Sequence, residues 1–347
     1  MTKLRIGVIG VGGIATGRHI PAFLQLPTVE LVAVSDMNKA QAQKVAKDFD
    51  IPYVCEQLED MLDKIDALVI CTPNKFHAPI AIQALNAGVH VLCEKPMALN
   101  TQECEAMTAA AEKSGKVLLI AYHWRFMKES RAAKQLIELG EIGEPLVIRI
   151  QSMRRRKVPG WGVFTNRDLQ GGGALIDYGC HLLDLALWLV GNPKPAEVSG
   201  ATFNALSRQQ GLVNEWGTID AETFEVEDHA TAFIRLENGA VILLETSWAA
   251  NILADEESLS ISGTKGGIDV FPLRINKAAN GMLMTNTVDF IPEEKSYDLL
   301  QAEHFVACCL GESTAIASPQ ESMHVSSVIE AIYESSTKGA SVTINSN

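Results

Sequence analysis

The sequence predicts an α/β protein in two parts: a domain on a parallel sheet, then an α+β domain with an open, predominantly antiparallel sheet. Three observations carry that reading. Through residue 123, short apolar runs alternate with helix-period segments, as βαβ units require. Beyond it, apolar runs succeed one another without helices between them, which suits antiparallel pairing. A glycine-rich turn, Gly10-Val11-Gly12-Gly13-Ile14-Ala15, joins the first apolar run to the first helical pattern.

In the first domain, strands are expected at 4–9, 31–35, 66–72, 89–93 and 117–121, and helices at 14–26, 38–49, 77–87 and 101–114. The last helix opens on Asn100 or Thr101 as its N-cap, with Glu103 in the first turn. The second domain begins with a helix at 132–139 ended by Gly140, a strand at 145–152 and a long helix within 171–191. Strand-like runs follow at 198–204, 229–236, 240–247, 257–262 and 267–271. Glu237-Asn238-Gly239 between two of them is a hairpin signal. Helical patterns return at 297–310 and 319–337. The expected domains are 1–123 and 124–347, with the C-terminal helices able to pack back on the first.

At 47% hydrophobic and 20% charged residues, the 347-residue chain has a globular composition with length for two cores. A net charge of −13 argues against general affinity for nucleic acid or an anionic membrane, which needs basic surface. The seven cysteines form no C-x-x-C pair and mostly lie in apolar runs, the usage of reduced core thiols. No uncharged apolar stretch approaches the ~18 residues that span a bilayer, and the N-terminal residues enter a strand with no signal-peptide pattern. The expected setting is cytoplasmic.

The glycine-rich turn fits G-x-G-x-x-G/A in its required context, a dinucleotide fingerprint. Gly10 permits the tight turn and Gly12 lets the backbone approach a pyrophosphate. Ala15 is small enough for helix–strand packing, while the helix N-terminus at Gly13 and Ile14 supplies amides and partial positive charge. Asp36 ends the second strand, where a carboxylate accepts hydrogen bonds from a ribose diol and repels a 2′-phosphate. That favours NAD, and nearby Lys39 leaves NADP open. Thr72-Pro73-Asn74 ends a later strand and borders the same cleft; Asn74 or His77 contacts the ribose or nicotinamide, or caps the next helix. Glu94-Lys95-Pro96 follows another short strand, placing a lysine at the sheet's carboxyl edge, where open α/β sheets bind ligands. Proline there restrains the lysine's backbone and admits a cis bond.

The second dense cluster runs from Gly171-Gly172-Gly173 to Asp184. On a helix, Asp177 and His181 are one turn apart and share a face, with Asp184 three residues on. Acidic groups and a histidine on an apolar helix need partners, so the pair is either a structural hydrogen bond or a proton-transfer set. A metal reading fails, because no second histidine stands at helical spacing and no cysteine cluster adds ligands.

The fingerprint, Glu94-Lys95-Pro96, and the block Gly-Gly-Gly-x-x-x-Asp-x-Gly-x-His-x-x-Asp closing on Trp188-Leu189-Val190-Gly191 together resemble the Gfo/Idh/MocA oxidoreductases. The likeness runs nearly end to end, through His123-Trp124-Arg125-Phe126 and the late Val328-Ile329-Glu330-Ala331-Ile332-Tyr333. It implies a Rossmann domain, then an open antiparallel-sheet domain, with NAD(P) between them. It also implies oxidation of secondary hydroxyls of sugars or cyclitols, and dimers or tetramers formed through the second sheet's face. By position, Lys95 matches the family's active-site lysine, and Asp177 and His181 its Asp/His pair. His181 then acts as general acid/base, Asp177 orients it or binds substrate, and Lys95 polarises the reacting oxygen; the Lys95 and His181 roles are exchangeable. Glu94 and Lys95 count on the cofactor side too, and Arg125 contacts the cofactor or the domain junction.

Arg154-Arg155-Arg156-Lys157 is an abrupt basic run in an acidic chain, followed by an aromatic segment containing Trp161. Strand alternation puts Arg154 and Arg156 on one side. These residues bring cations and a stacking platform to substrate, or contact a partner subunit, or form a solvated loop. Two alternatives to a dehydrogenase stand within the resemblance: a redox-neutral glycosidase that holds NAD, and a non-enzymatic sugar sensor.

Overall fold

The computed structural model describes residues 3–209, 211–292 and 294–344. It divides into one unit of Met1–Phe126 with Glu294–Met323 and a second of Met127–Glu293 with His324–Asn347.

In the first unit, six strands form a wholly parallel sheet: β1 (Leu4–Ile9), β2 (Val29–Ser35), β3 (Tyr53–Val54), β4 (Ala67–Ile70), β5 (His90–Cys93) and β6 (Leu118–Ile120). Their order is β3-β2-β1-β4-β5-β6, so the winding reverses between β1 and β4. The crevice outside the carboxyl ends of strands at such a reversal is where open α/β sheets bind dinucleotides. Ile6, Val8, Leu68, Ile70, Val91 and Leu92 are fully buried, which is why these strands read as continuous apolar runs rather than alternating ones. β3 was not anticipated; two exposed residues carry no periodic signal. β4 is shorter than expected at both ends; Asp66, just before it, pairs with Arg5 at 2.7 Å.

Caps fix the helices. Asn38 accepts from the Gln41 amide and Asn100 from the Glu103 amide, each such cap being worth about 1 kcal/mol. The returning segment contributes the helix Tyr297–Cys309, capped by Ser296. Its Phe305 meets Phe23 edge to face at 6.3 Å, and both rings are fully buried. Each buried ring contributes roughly 2–3 kcal/mol.

The second unit holds a nine-stranded sheet. Its strands are β7 (Pro145–Met153), β8 (Pro195–Phe203), β9 (His229–Leu236), β10 (Val241–Ser247), β11 (Glu256–Gly263), β12 (Gly267–Asp269), β13 (Arg274–Ala279), β14 (Met282–Thr287) and β15 (Val342–Thr343). The order is β14-β13-β12-β11-β7-β10-β9-β8-β15, with every pair antiparallel except β7 with β10. Period-two alternation turns Ile148, Ile150, Ile234, Ile242 and Leu244 inward. The helix Cys180–Leu189 is buried along nearly its whole length. At the expected hairpin, Gly239 takes φ +86° and the Leu236 amide donates to the Ala240 carbonyl. β13, β14 and β15 escaped the sequence reading; all six residues of β14 are exposed, so it shows no alternation.

Among the described residues, no helix is long and apolar enough to cross a membrane, and no disulfide joins the cysteines.

Candidate active site

Gly10 takes φ +81°, and a Cβ there would lie 2.7 Å from the Cys71 carbonyl and 2.8 Å from the Thr72 amide nitrogen. Backbone conformation and close approach both demand glycine. Gly12 and Gly13 differ: a Cβ on either would meet no protein atom within 4 Å. Among the described residues no side chain fills that space, which leaves it open at the start of a helix, the place a pyrophosphate takes. Asp36 holds the turn, accepting the Val11 amide on one oxygen and the Asn38 amide on the other, each at 2.8 Å. Each oxygen keeps a lone pair for a ribose hydroxyl. Lys39 is paired with Glu56 at 2.7 Å. The Thr72 hydroxyl, at the carboxyl end of β4, is buried with no hydrogen-bond partner among the described residues. Open cradle, carboxylate and orphan hydroxyl together fit a dinucleotide.

His77 is placed differently from Asp36. It is fully buried, with Nδ1 at 2.8 Å from the Pro96 carbonyl and Nε2 at 2.9 Å from the Thr72 carbonyl. Burial lowers its pKa, although both carbonyls favour the protonated ring. Both ring nitrogens face backbone carbonyls, one in the lysine turn and one in the β4 turn, and a neutral ring donates to one of them. Pro73 leads into the 3-10 turn Asn74–Phe76, in which Asn74 is buried.

Lys95 follows β5 and is half-buried, and the Lys95–Pro96 bond is cis. Its neighbour Glu94 is 7% exposed and receives His19 Nε2 at 2.7 Å. Burial raises the Glu94 pKa, but the His19 hydrogen bond and the charges of His19, Lys95 and Arg18 outweigh it and hold the carboxyl at about 2. Arg18, beside His19, pairs with Asp298 at 2.8 Å and donates to His123 Nδ1 at 3.0 Å. His123 stacks on Tyr297, and burial plus the Arg18 charge push its pKa down to about 3, so its ring is neutral. Sequence reasoning missed Arg18, His19, Tyr297 and Asp298 entirely. The signal was available: Arg18 and His19 stand one turn past the fingerprint, on a π-helical turn, Ala15–His19. Arg125 is fully buried; Nη1 donates to the Ile316 carbonyl at 2.5 Å and to Glu321 at 2.7 Å.

In the second unit, Glu227 organises the glycine block. Its carboxylate accepts the Gly173 and Leu175 amides and the Tyr333 hydroxyl, all at 2.9 Å. A Cβ on Gly172 would lie 1.9 Å from the Tyr333 hydroxyl, and one on Gly173 would lie 2.0 Å from the Glu227 carbonyl. Another π-helical turn, Leu175–Gly179, opens the helix. From Gly172 to Leu189, every residue is buried except Asp177 and His181, which are partly exposed. They face one way, and Asp177 accepts the indole N–H of the fully buried Trp248 at 3.1 Å. Asp184, by contrast, is fully buried.

The basic run separates. Because β7 ends at Met153, strand alternation no longer governs it, and Arg154 and Arg156 have different partners. Arg156 donates to Asn251 at 2.6 Å, Arg155 to the Leu253 carbonyl, and Lys157 to Asp255. Arg154 instead lies between two rings, its guanidinium carbon 4.0 Å from the Tyr178 centroid and 4.4 Å from that of Trp216. Trp161 packs on Trp216 at 5.4 Å and is 53% exposed.

Residues 4–122 match the model of an oxidoreductase family with an NAD-binding Rossmann fold, and residues 130–269 match the GFO/IDH/MocA C-terminal domain. The chain belongs to the Gfo/Idh/MocA family. This family member is 36% identical over 346 residues to D-glucoside 3-dehydrogenase of Escherichia coli, covering 99% of this chain and 98% of that enzyme. Its structure is similar to levoglucosan dehydrogenase in complex with NADH, at TM-score 0.84 and 25% identity over the whole of both chains. It also resembles aldose-aldose oxidoreductase from Caulobacter crescentus, complexed with glycerol, at TM-score 0.82 and 26% identity, covering 99% and 100% of the two chains. The protein is thus an NAD-binding oxidoreductase of the sugar and cyclitol dehydrogenase type.

Proposed function

We propose that this oxidoreductase oxidises a ring hydroxyl of a D-glucoside, at C3, with NAD as hydride acceptor. The observation that carries it is the isolation of Asp177 and His181 as the partly exposed positions of an otherwise buried helix. An apolar helix keeps two polar residues accessible on one face when they have work there. His181 removes the hydroxyl proton as general base, and Asp177, oriented by Trp248, binds or orients its partner. Lys95 stabilises the oxyanion that develops as hydride leaves the carbon. When bound, NAD supplies the electrophilic nicotinamide that receives that hydride. Gly12, Gly13, Asp36 and Thr72 are the residues proposed to hold it, and the Lys39–Glu56 pair supports NAD over NADP. The relation to a D-glucoside 3-dehydrogenase along almost the full chain supports the choice of C3.

We further propose a cytoplasmic homo-oligomer that associates through the outer face of the second sheet, where Phe203 and Leu243 are exposed.

The test is purified protein with NAD against methyl β-D-glucoside, glucose, inositols and sugar phosphates, following reduced nicotinamide and the product ketone. NADH with a 3-keto glucoside, lost in Lys95→Ala, is the expected result. Turnover confined to inositols or free aldoses overturns the substrate, and aglycone release without NADH overturns the dehydrogenase.

A further inference from the structure

Among the described residues, Lys157 alone of the basic run makes an ion pair; Arg155 and Arg156 bond to neutral oxygens, whereas Arg154 Nη1 is buried with no hydrogen-bond partner. Its guanidinium packs against the rings of Tyr178 and Trp216. Its unpartnered N–H group is a donor available to an acceptor. A buried donor without a partner is unfavourable, and a ligand oxygen would satisfy it.

The surroundings are rigid. Asn214 bridges both ways to Val158, its Oδ1 accepting the amide at 2.8 Å and its Nδ2 donating to the carbonyl at 2.9 Å. A Cβ on Gly160 would lie 2.5 Å from the Thr218 carbonyl, so the two loops touch backbone to backbone. Tyr178, Val158, Phe224 and Trp248 share one buried cluster, and Trp248 holds Asp177. The aromatic group is therefore built on the residues that position Asp177. Trp161 offers its exposed ring beside Trp216.

We propose that Arg154, Trp216 and Trp161 form an aglycone subsite, which takes the second ring of a neutral glycoside; this rests on the glucoside reading above. The ring stacks on Trp161 and an oxygen of that ring or its linkage accepts from Arg154. Charge selects a neutral ring over an anionic one. Tyr178 donates to Glu257, and Asp255 stands near enough to be lowered in pKa, after the opposing effect of burial, by Lys157, Arg155 and then Arg154. These carboxylates already offset the guanidinium, so a phosphate or carboxylate gains little there.

The experiment compares kcat/KM for methyl β-D-glucoside, 4-nitrophenyl β-D-glucoside, cellobiose and glucose 6-phosphate in wild type, Trp161→Ala and Arg154→Met. Wild type is expected to favour the two-ring glycosides over methyl glucoside by about tenfold, and either variant to lower that ratio towards one, mainly through KM. Aryl and sugar aglycones distinguish the source of the second ring. No turnover of any glucoside sinks the glucoside reading. Turnover with a ratio near one in wild type, or a ratio unmoved by both variants, sinks the subsite alone. A preference for the phosphate does so too, as does a Trp161→Ala variant that changes only the oligomer mass.

Discussion

His19 Nε2 lies 2.7 Å from Glu94 Oε1, with both side chains buried, so the residue before Lys95 is held as a carboxylate by a histidine on the fingerprint helix. Its pKa is about 2 against an ordinary 4.5. A carboxylate depressed in this way adds stability that is complete above about 4.5 and is lost as pH falls towards about 2.

His19→Ala therefore removes the main support of a buried charge, a loss of about 3–5 kcal/mol. Thermal melting at neutral pH should show a large drop in Tm, and acid unfolding should begin at higher pH than in wild type. His19→Gln, which restores a donor, should recover part of both. An acid limb identical in wild type and His19→Ala would contradict the coupling.

Asp36 engages two backbone amides at 2.8 Å, so it shapes the turn as well as serving the cofactor role proposed for it. Asp36→Asn keeps an acceptor and removes the negative charge that repels a 2′-phosphate. The ratio of kcat/KM for NAD to that for NADP should fall by about tenfold, a change of ~1.4 kcal/mol. If the ratio is unchanged, cofactor choice lies elsewhere.

Much of this was legible before any coordinates, and the division has physical causes. The fingerprint, Asp36 and the strand-end lysine depend on local turn chemistry, which the sequence writes directly. Asn100 and the Glu237-Asn238-Gly239 hairpin are local too. The Glu227 carboxylate that caps the glycine block comes from 54 residues away, and no local pattern announces it. Likewise, the Arg18 pairing with Asp298 joins distant segments, and Trp248 reaches Asp177 across 71 positions. Both π-helical turns were read as ordinary helix, since an apolar period near 3.6 does not resolve one extra residue. Strand alternation put Arg154 and Arg156 on one side, but β7 ends at Met153 and the two have different partners.

Arg125 offers a sharp choice between two jobs. Its guanidinium is fully buried and holds Glu321 and the Ile316 carbonyl. A structural tie predicts that Arg125→Ala and Glu321→Gln each lower Tm, with about 3–5 kcal/mol lost in the former. A cofactor contact predicts that KM for NAD rises in Arg125→Ala and stays put in Glu321→Gln. The expected outcome is the first, read by calorimetry alongside cofactor titration.

Trp248 gives the most direct test of the assigned helix face. Its indole donates to Asp177 Oδ2 at 3.1 Å from a fully buried position. Trp248→Phe keeps most of the packing and deletes the donor, and a hydrogen bond to a charged group is worth about 1.5–3 kcal/mol. If Asp177 must be oriented for proton transfer, kcat should fall by about tenfold or more. Val226→Ala loosens the same buried cluster without touching that bond. It should cost stability, as large-to-small core changes do, with a smaller effect on kcat. Equal kcat losses in the two variants would mean that general softening of the cluster, and not the indole donor, accounts for the effect.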